Sequence, residues 1–179
     1  MTKLTPDALA ALTYQTYPPQ EDIEGAWQQA LVKHHAGNGA FMECLRLDEH
    51  AQTQGTPNAH PTRQVSVSWA EAHRVNAFHI HPNSGQSELW TVIAGQLSVW
   101  LVDCRQDGAT SGHKRKFTLN GEQPTQLHIP GGVAHGYKAG PHGATLLYAT
   151  SHQFNAQQPD EGRLPWNFLG DGLWDDDRG

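Results

Sequence analysis

Apolar residues in the first part of the chain recur at helical spacing. Thr5 is a typical N-cap residue, and Pro6 follows it at a position that proline favours in a first helical turn. A second stretch of helical apolar spacing covers about residues 20–34, and the glycines that follow it would end a helix. We therefore predict that residues 1–38 form short N-terminal helices.

From residue 39 onward, the pattern changes to short runs of Val, Ile, Leu and aromatic residues separated by turn residues. Such runs predict strands, and many short strands without intervening helices indicate a closed antiparallel barrel or jelly roll. The sequence Ala-Gly-Gln at 94–96 predicts a tight hairpin, and the tail after residue 150 is predicted to be irregular and to pack through Trp166 and Trp174. We predict one mainly β domain over residues 39–179. Its strands are expected at 40–47, 64–69, 74–81, 88–93, 96–103, 116–119, 125–129 and 144–150.

Composition narrows the class of protein. The chain has 179 residues and a formal charge of −6, and it has no apolar run of the roughly 20 residues needed to span a bilayer. It has no basic stripe, so we expect neither nucleic acid nor a membrane as a partner. A chain with two cysteines and no signal-peptide pattern is expected to be cytoplasmic. The unusual feature is twelve histidines, as many as Lys and Arg combined.

A few of these histidines stand in a pattern that favours a polar pocket. His79 and His81 lie two residues apart on a predicted strand, so their imidazoles share a face. Glu88 opens the next predicted strand, and His135 ends the segment Pro-Gly-Gly-Val-Ala-His. Three imidazoles and one carboxylate suit Fe, Mn, Ni, Co, Cu or Zn. A metal site and an unmetallated polar pocket are both open at this point.

This set of residues resembles the two signature motifs of the cupin superfamily. In metal-binding cupins, the positions that match His79, His81, Glu88 and His135 hold one divalent ion inside the barrel. The resemblance therefore implies a cupin (jelly-roll) fold and this metal site. The interval from the second His to the Glu is longer than in most cupins, and Ala139 stands where an Asn is common.

Over residues 39–174, the chain resembles the dTDP-4-dehydrorhamnose 3,5-epimerase family, cupin-fold enzymes of deoxysugar nucleotide biosynthesis. Residues 39–43 resemble the family segment G-x-F-x-E, residues 88–105 follow a long strand segment that begins K-L-V, and residues 129–137 match I-P-x-G-F-A-H-G-F. The resemblance implies an isomerase that acts on a keto-sugar nucleotide, or a related small carbohydrate, by proton abstraction next to a carbonyl. It also implies a homodimer without an organic cofactor.

The same resemblance implies roles for individual residues. His79 matches the family's base, and Tyr148 matches its acid, thirteen residues after His135. The chemistry suits these side chains, because removal of a proton next to a ketone needs a base with a pKa near neutrality. Trp90 could stack on a sugar or base, or belong to the core. The candidate substrate-binding residues are Gln64, Asn76, Trp90 and His135.

Three positions depart from the family, and two of the changes remove positive charge. Asn76 replaces an Arg, Glu88 replaces a Lys, and His81 replaces a Gln; the family's late acidic partner of the base also has no match up to Gly179. Since two of these changes complete the metal-ligand set, we expect a divalent ion to replace the missing cation. The alternatives are a metal-dependent cupin enzyme (oxygenase, isomerase or lyase) acting on another small molecule, and a non-catalytic ligand-binding cupin.

Overall fold

Among the described residues of the N-terminal part, helix is limited to one short element. The computed structural model describes residues 2–17 and 19–176. α1 (Pro6–Ala11) is the predicted first helix, and its N-cap Thr5 accepts a hydrogen bond from the backbone N–H of Ala8 at 3.3 Å. No helix among these residues is long and apolar enough to cross a membrane.

The segment predicted to form a second helix contains strands instead. Gly25, with a φ of 81°, turns the chain into β1 (Trp27–Ala30), and β2 (Lys33–Ala36) follows. β1 is antiparallel to β8 (Thr125–Ile129), and burial alternates along it. The predicted helix over residues 20–34 is therefore wrong, because pairing with the sheet outweighs the helical spacing of the apolar residues.

The other strands lie close to the predicted ones, and all of the described pairings are antiparallel. β2 and β3 form a separate hairpin, and the other eight strands belong to one sheet. The remaining elements are β3 (Gly39–Met42), β4 (Gln64–Ala70), β5 (Val75–Ile80), β6 (Glu88–Asp103), β7 (Lys114–Asn120), β9 (Val133–Thr150), β10 (Gly162–Arg163) and a 3-10 turn at Asp171–Trp174.

Two long strands, β6 and β9, organise the sheet, because they pair with each other along most of their length. The start of β6 and the end of β9 lie between β8 and β4, with β1 beyond β8; this set is the first half-sheet. The end of β6 and the start of β9 lie between β7 and β5, with β10 beyond β5; this set is the second half-sheet. The mainly β, antiparallel fold is confirmed. The pairing described runs from β1 to β10 and does not show the predicted closed barrel.

The join between the half-sheets corrects the predicted hairpin. Residues 94–96 lie inside β6, and the pairing with β9 shifts register on both sides of this point. Gly95 has a φ of 72°, and a Cβ there would overlap the carbonyl oxygen of Gly143. The glycine is needed where two backbones approach closely within an irregular ladder, which in sequence looks like a turn signal.

Two apolar clusters hold the fold together. The larger one draws on both half-sheets and includes Trp90, Leu97 and Leu146. The smaller one lies on the second half-sheet, where the rings of Phe78 and Trp174 are 5.5 Å apart. The predicted packing of the tail through Trp174 is confirmed. The side chain of Trp166 is instead largely exposed, and this residue contributes its carbonyl oxygen, which accepts a hydrogen bond from the Trp174 indole at 2.8 Å.

Candidate active site

A cavity of about 200 Å³ is lined by both half-sheets. Its wall combines ionisable, amide and aromatic side chains, which is typical of a small-molecule site. All eight residues predicted for the site lie in this wall: Gln64, Asn76, His79, His81, Glu88, Trp90, His135 and Tyr148.

The strands explain why residues far apart in sequence meet here. On β4, Gln64 and Ser68 lie an even number of residues apart, so both reach the same face of the sheet. On β5, Asn76 and His79 are three residues apart and would face opposite sides of a regular strand. A register shift between them in the pairing with β9 lets both side chains line the cavity.

Glu88 is a buried carboxylate with three hydrogen-bond donors. Its Oε1 accepts from His81 Nε2 and from Gln86 Nε2, each at 2.9 Å. Its Oε2 accepts from Trp90 Nε1 at 2.6 Å. Burial alone would raise the pKa of this carboxyl, but the nearby His135 and the donors on both oxygens outweigh burial and lower the pKa to about 2. Residue 88 is therefore an ionised carboxylate.

His81 is the cation that balances this carboxylate. Its Nδ1 lies 2.6 Å from the carbonyl oxygen of Asp160, and its Nε2 lies 2.9 Å from Glu88. Both neighbours accept hydrogen bonds, so the arrangement favours an imidazole that carries a proton on each nitrogen. Burial is the largest influence and opposes this charge, but Glu88 and the Asp160 carbonyl outweigh it and raise the pKa of His81.

His135 lies beside this ion pair as a neutral imidazole. His135 is only 3% exposed, and its Nδ1 donates to the carbonyl oxygen of Val133 at 3.2 Å. Burial lowers the pKa of His135, against the opposing charge of Glu88. Its Nε2 is therefore an unprotonated acceptor, 3.9 Å from Glu88 Oε2.

Three of the four predicted metal ligands form a group whose potential ligand atoms lie within 4.8 Å of one another, namely His81, Glu88 and His135. Backbone carbonyls orient both imidazoles through Nδ1 and leave each Nε2 directed at the carboxylate, which is a donor set that fits a divalent ion. His79 lies outside this group. The same atoms also satisfy one another directly, as the hydrogen-bonded ion pair of His81 and Glu88.

His79 has a different environment, at the edge of the cavity. Its Nε2 donates to Asn76 Oδ1 at 3.0 Å, and Arg163 Nη1 donates to the same oxygen at 3.2 Å. Burial lowers the pKa of His79, and repulsion from Arg163, and from His135 whenever that ring is protonated, lowers it further, while Glu161 opposes them. His79 therefore rests as a neutral imidazole, the form that can accept a proton.

The other predicted site residues contribute aromatic and amide groups. Tyr148 is half-buried and packs against the larger core. Trp90 belongs to that core as well as to the cavity wall, and its indole N–H donates a hydrogen bond to the Glu88 carboxylate. Gln64 Oε1 accepts a hydrogen bond from the backbone N–H of Phe154 at 3.0 Å, which brings the segment after β9 to the cavity.

Three residues that contact the ionisable side chains of the site were not predicted from the sequence. Gln86 donates to the carboxylate two residues after it, a spacing that a strand-face argument could have found. Asp160 and Glu161 reach the two histidines from a segment about eighty residues further along the chain. No local signal marks that segment, because its contacts depend on how the tail returns to β5.

Comparisons with known proteins identify the family of the chain. The family model described as dTDP-4-dehydrorhamnose 3,5-epimerase matches residues 20–168. The chain is 34% identical over 148 residues to the spore coat polysaccharide biosynthesis protein SpsL of Bacillus subtilis. This match covers 81% of this chain and 91% of that protein. It is 27% identical over 139 residues to a dTDP-4-dehydrorhamnose 3,5-epimerase of Mycobacterium tuberculosis. That match covers 76% of this chain and 67% of that protein.

A solved structure shares the fold. The crystal structure of a dTDP sugar isomerase from Desulfovibrio desulfuricans superposes with a TM-score of 0.69 and 28% identity, and the match covers 82% of this chain and 88% of that one. These matches extend well beyond the histidine motifs, through both half-sheets. The chain therefore belongs to the dTDP-4-dehydrorhamnose 3,5-epimerase family and is an enzyme of the sugar-nucleotide epimerase type.

Proposed function

We propose that this enzyme epimerises a dTDP-linked 4-keto-6-deoxy sugar at a carbon next to the ketone, with His79 as the base and Tyr148 as the acid. The observation that carries the proposal is the position of these two side chains. They come from different half-sheets and line one cavity. Inversion requires a base and an acid on opposite faces of the carbon, because the proton must leave one face and return to the other. Two side chains from separate strands can take these positions.

The environment of His79 suits the first step. Burial keeps the imidazole neutral, so it can take the proton while the electron pair of the C–H bond passes into an enolate. Tyr148 then returns a proton to the opposite face, and the tyrosinate and imidazolium exchange their protons with solvent to restore the starting state. The carboxylate of Glu88 would repel the enolate if it were unpaired. Its charge is compensated by His81, and its oxygens accept three hydrogen bonds.

Isotope exchange tests this function directly. The enzyme is incubated in heavy water with dTDP-4-keto-6-deoxyglucose, and deuterium at C3 and C5 is followed by NMR. We expect incorporation at one or both carbons, a much slower exchange in His79→Asn, and exchange without completed inversion in Tyr148→Phe. Wild-type enzyme that gives no deuterium at either carbon would rule out this assignment. A ligand-binding cupin without catalysis would bind the nucleotide sugar but leave its protons unexchanged.

A metal-assisted reaction is the second candidate, favoured by the convergence of His81, Glu88 and His135. A divalent ion bound there would supply a Lewis acid that polarises a substrate oxygen. Elemental analysis of protein purified without chelator, and of protein reloaded with transition metals, decides between the candidates. Stoichiometric metal that is lost together with activity in Glu88→Gln would favour the metal. Full activity of metal-free protein would leave the ion pair as the working state.

The proposed homodimer is supported by the outer face of β4. Val65, Val67 and Trp69 are exposed on one side of this strand, while its other side carries the polar residues that face the cavity. An exposed apolar row of this kind is typical of an interface. Sedimentation velocity should show a dimer that Trp69→Glu weakens, and a monomeric wild type would contradict it. The cytoplasmic location stays a prediction, with which the free thiols of Cys44 and Cys104 are compatible.

A further inference from the structure

Several hydrogen-bond donors on the cavity wall are already used within the protein. In the proposed reaction, negative charge develops on the ketone oxygen of the substrate, and this charge needs a donor or a cation beside it. Both N–H groups of protonated His81 are used, by Glu88 and by the carbonyl oxygen of Asp160. The indole N–H of Trp90 also donates to Glu88. The donor to the substrate oxygen must therefore come from another group on the wall.

Gln86 has an amide N–H that its neighbours leave unused. Its Nε2 donates to Glu88 Oε1 at 2.9 Å and lies 3.2 Å from His81 Nε2. The contact with His81 is not a hydrogen bond, because that nitrogen carries the proton that it donates to Glu88. The two N–H groups of an amide diverge, so the second one points away from the carboxylate. It has no acceptor among the residues that the structure describes, and Gln86 lines the cavity.

The position of this amide is fixed from two sides. The ionised carboxylate of Glu88 can only accept hydrogen bonds, so it holds the nitrogen end of the Gln86 amide. The backbone N–H of Gln86 donates to Ser84 Oγ at 3.1 Å, and the backbone N–H of Ser84 donates to the Asp160 carboxylate at 2.6 Å. The donor is thus in place before a substrate arrives, which is what stabilisation of a developing charge requires.

The charge beside Gln86 distinguishes it from the other amides on the wall. Gln86 Nε2 lies next to the protonated ring of His81, which is 5% exposed and is therefore little screened by water. The nitrogen of the Gln64 amide already donates to another side chain. The amide of Asn76 lies against the neutral ring of His79. Only at Gln86 does an unused amide N–H lie next to a buried cation, among the amides of the described cavity wall.

We propose that Gln86 is a catalytic residue, whose second amide N–H donates a hydrogen bond to the ketone oxygen of the substrate and stabilises the enolate. The inference rests on the proposed function, in which His79 takes the proton. The electron pair of the broken C–H bond then places charge on the ketone oxygen beside Gln86, and it forms the new C–H bond when Tyr148 supplies a proton. Gln86 itself transfers no proton. Glu88 and His81 act as a neutral pair that holds this donor.

Removal of the donor at nearly constant size tests the proposal. Gln86→Met has a side chain of similar length without an N–H, whereas Gln86→Lys keeps donors for both the carboxylate and the substrate. From the rate of deuterium incorporation at varied substrate concentration, we expect Gln86→Met to lower kcat on the order of 100-fold, with KM changed by less than about threefold. Gln86→Lys should keep most of the activity. Gln29→Met is the matched control, because Gln29 is a half-buried amide on β1 that donates to Gln126, and it should behave as wild type.

Infrared spectroscopy gives a readout that does not depend on turnover. With an isotopic carbon label at C4 of the substrate, the difference between labelled and unlabelled spectra isolates the stretching vibration of the bound ketone. A hydrogen bond to the ketone oxygen weakens the C=O bond, so we expect a lower frequency in wild type than in Gln86→Met. If Gln86 only held Glu88 in place, the two frequencies would be equal. Gln86→Ser provides the same comparison if the methionine side chain is not tolerated at this half-buried position.

Two results would overturn the inference. One is a Gln86→Met enzyme with unchanged kcat, and the other is a ketone frequency that is the same in this variant and in wild type. Failure of the proposed function gives a different pattern. A wild type that exchanges no deuterium, but in which the bound ketone still vibrates at a lower frequency than in Gln86→Met, would contradict the proposed epimerisation and leave Gln86 as the donor to the ketone oxygen.

Discussion

His79 and His81 are two residues apart and line the same cavity, yet their surroundings give them opposite properties. His81 lies between the ionised carboxylate of Glu88 and the carbonyl oxygen of Asp160, which together raise its pKa. His79 lies beside the amide of Asn76, and burial and nearby positive charges lower its pKa. The same type of side chain therefore favours the protonated form at one position and the neutral form at the other.

A shared strand face therefore does not imply a shared role. The pattern H-x-H suggests two equivalent ligands, but it specifies nothing about what approaches each ring from elsewhere in the fold. At His81, the neighbours leave no nitrogen without an acceptor. At His79, burial and repulsion from Arg163 lower the pKa, so the ring stays neutral.

Replacing His79, the proposed base, should abolish most of the activity but leave the fold intact. We expect His79→Asn to lower kcat by about 100–10,000-fold, the range for loss of a general base, with a small change in Tm. Deuterium exchange and calorimetry measure the two effects. His81→Asn should show a clear loss of stability, because it leaves the buried Glu88 without its cation. A His79 variant that is less stable than the His81 variant would contradict the comparison.

Removing the buried carboxylate should be the most destabilising single change in the site. In Glu88→Ala, His81 would remain without its partner in a site where both side chains are about 5% exposed. Breaking a buried pair costs about 3–5 kcal/mol. For a chain of this length, that corresponds to a fall in Tm of roughly 10 °C. A Tm within 2–3 °C of wild type, as roughly expected for a surface change, would show that the pair contributes little.

The indole that binds the carboxylate provides a smaller test. Trp90→Phe removes the N–H that donates to Glu88 Oε2 and should cost about 1.5–3 kcal/mol, as hydrogen bonds to charged groups do. Trp27→Phe is a matched control, because the buried indole N–H of Trp27 has no hydrogen-bond partner. Chemical denaturation of both variants measures the difference. Equal losses would mean that ring volume, and not the hydrogen bond, decides the result.

The pH dependence has opposite signs at the two histidines. His81, with a raised pKa, stabilises the fold fully below its ordinary value of 6.5 and loses this contribution as pH rises through its higher folded value. His79, with a lowered pKa, costs stability as pH falls through 6.5, because the unfolded chain then binds a proton that the folded chain does not. NMR titration of the imidazole protons should place His79 below 6.5 and His81 above it. The reverse order would contradict the comparison.

Much of the site could be predicted from local patterns. Strand alternation placed His79 and His81 on one face, and the opening of the next strand placed Glu88 near them. The match over residues 129–137 and the spacing to Tyr148 identified the family, and all of these residues line one cavity. The helix over residues 20–34 failed because apolar spacing there fits helix and strand alike. The hairpin at 94–96 failed because a glycine required by close backbone approach looks like a turn residue.

The amino-acid sequence was enough to predict a mainly β, antiparallel domain of this epimerase family and to nominate His79, Tyr148 and the polar residues that line the cavity with them. These features depend on neighbours within a few residues, or on motifs that a family shares. The protonation state of each group depends instead on tertiary contacts, because the burial and the charges around it are set by segments far apart in the chain. The return of residues 160–163 to β5 is the clearest case: it completes the cation at His81 and brings Glu161 and Arg163 to His79.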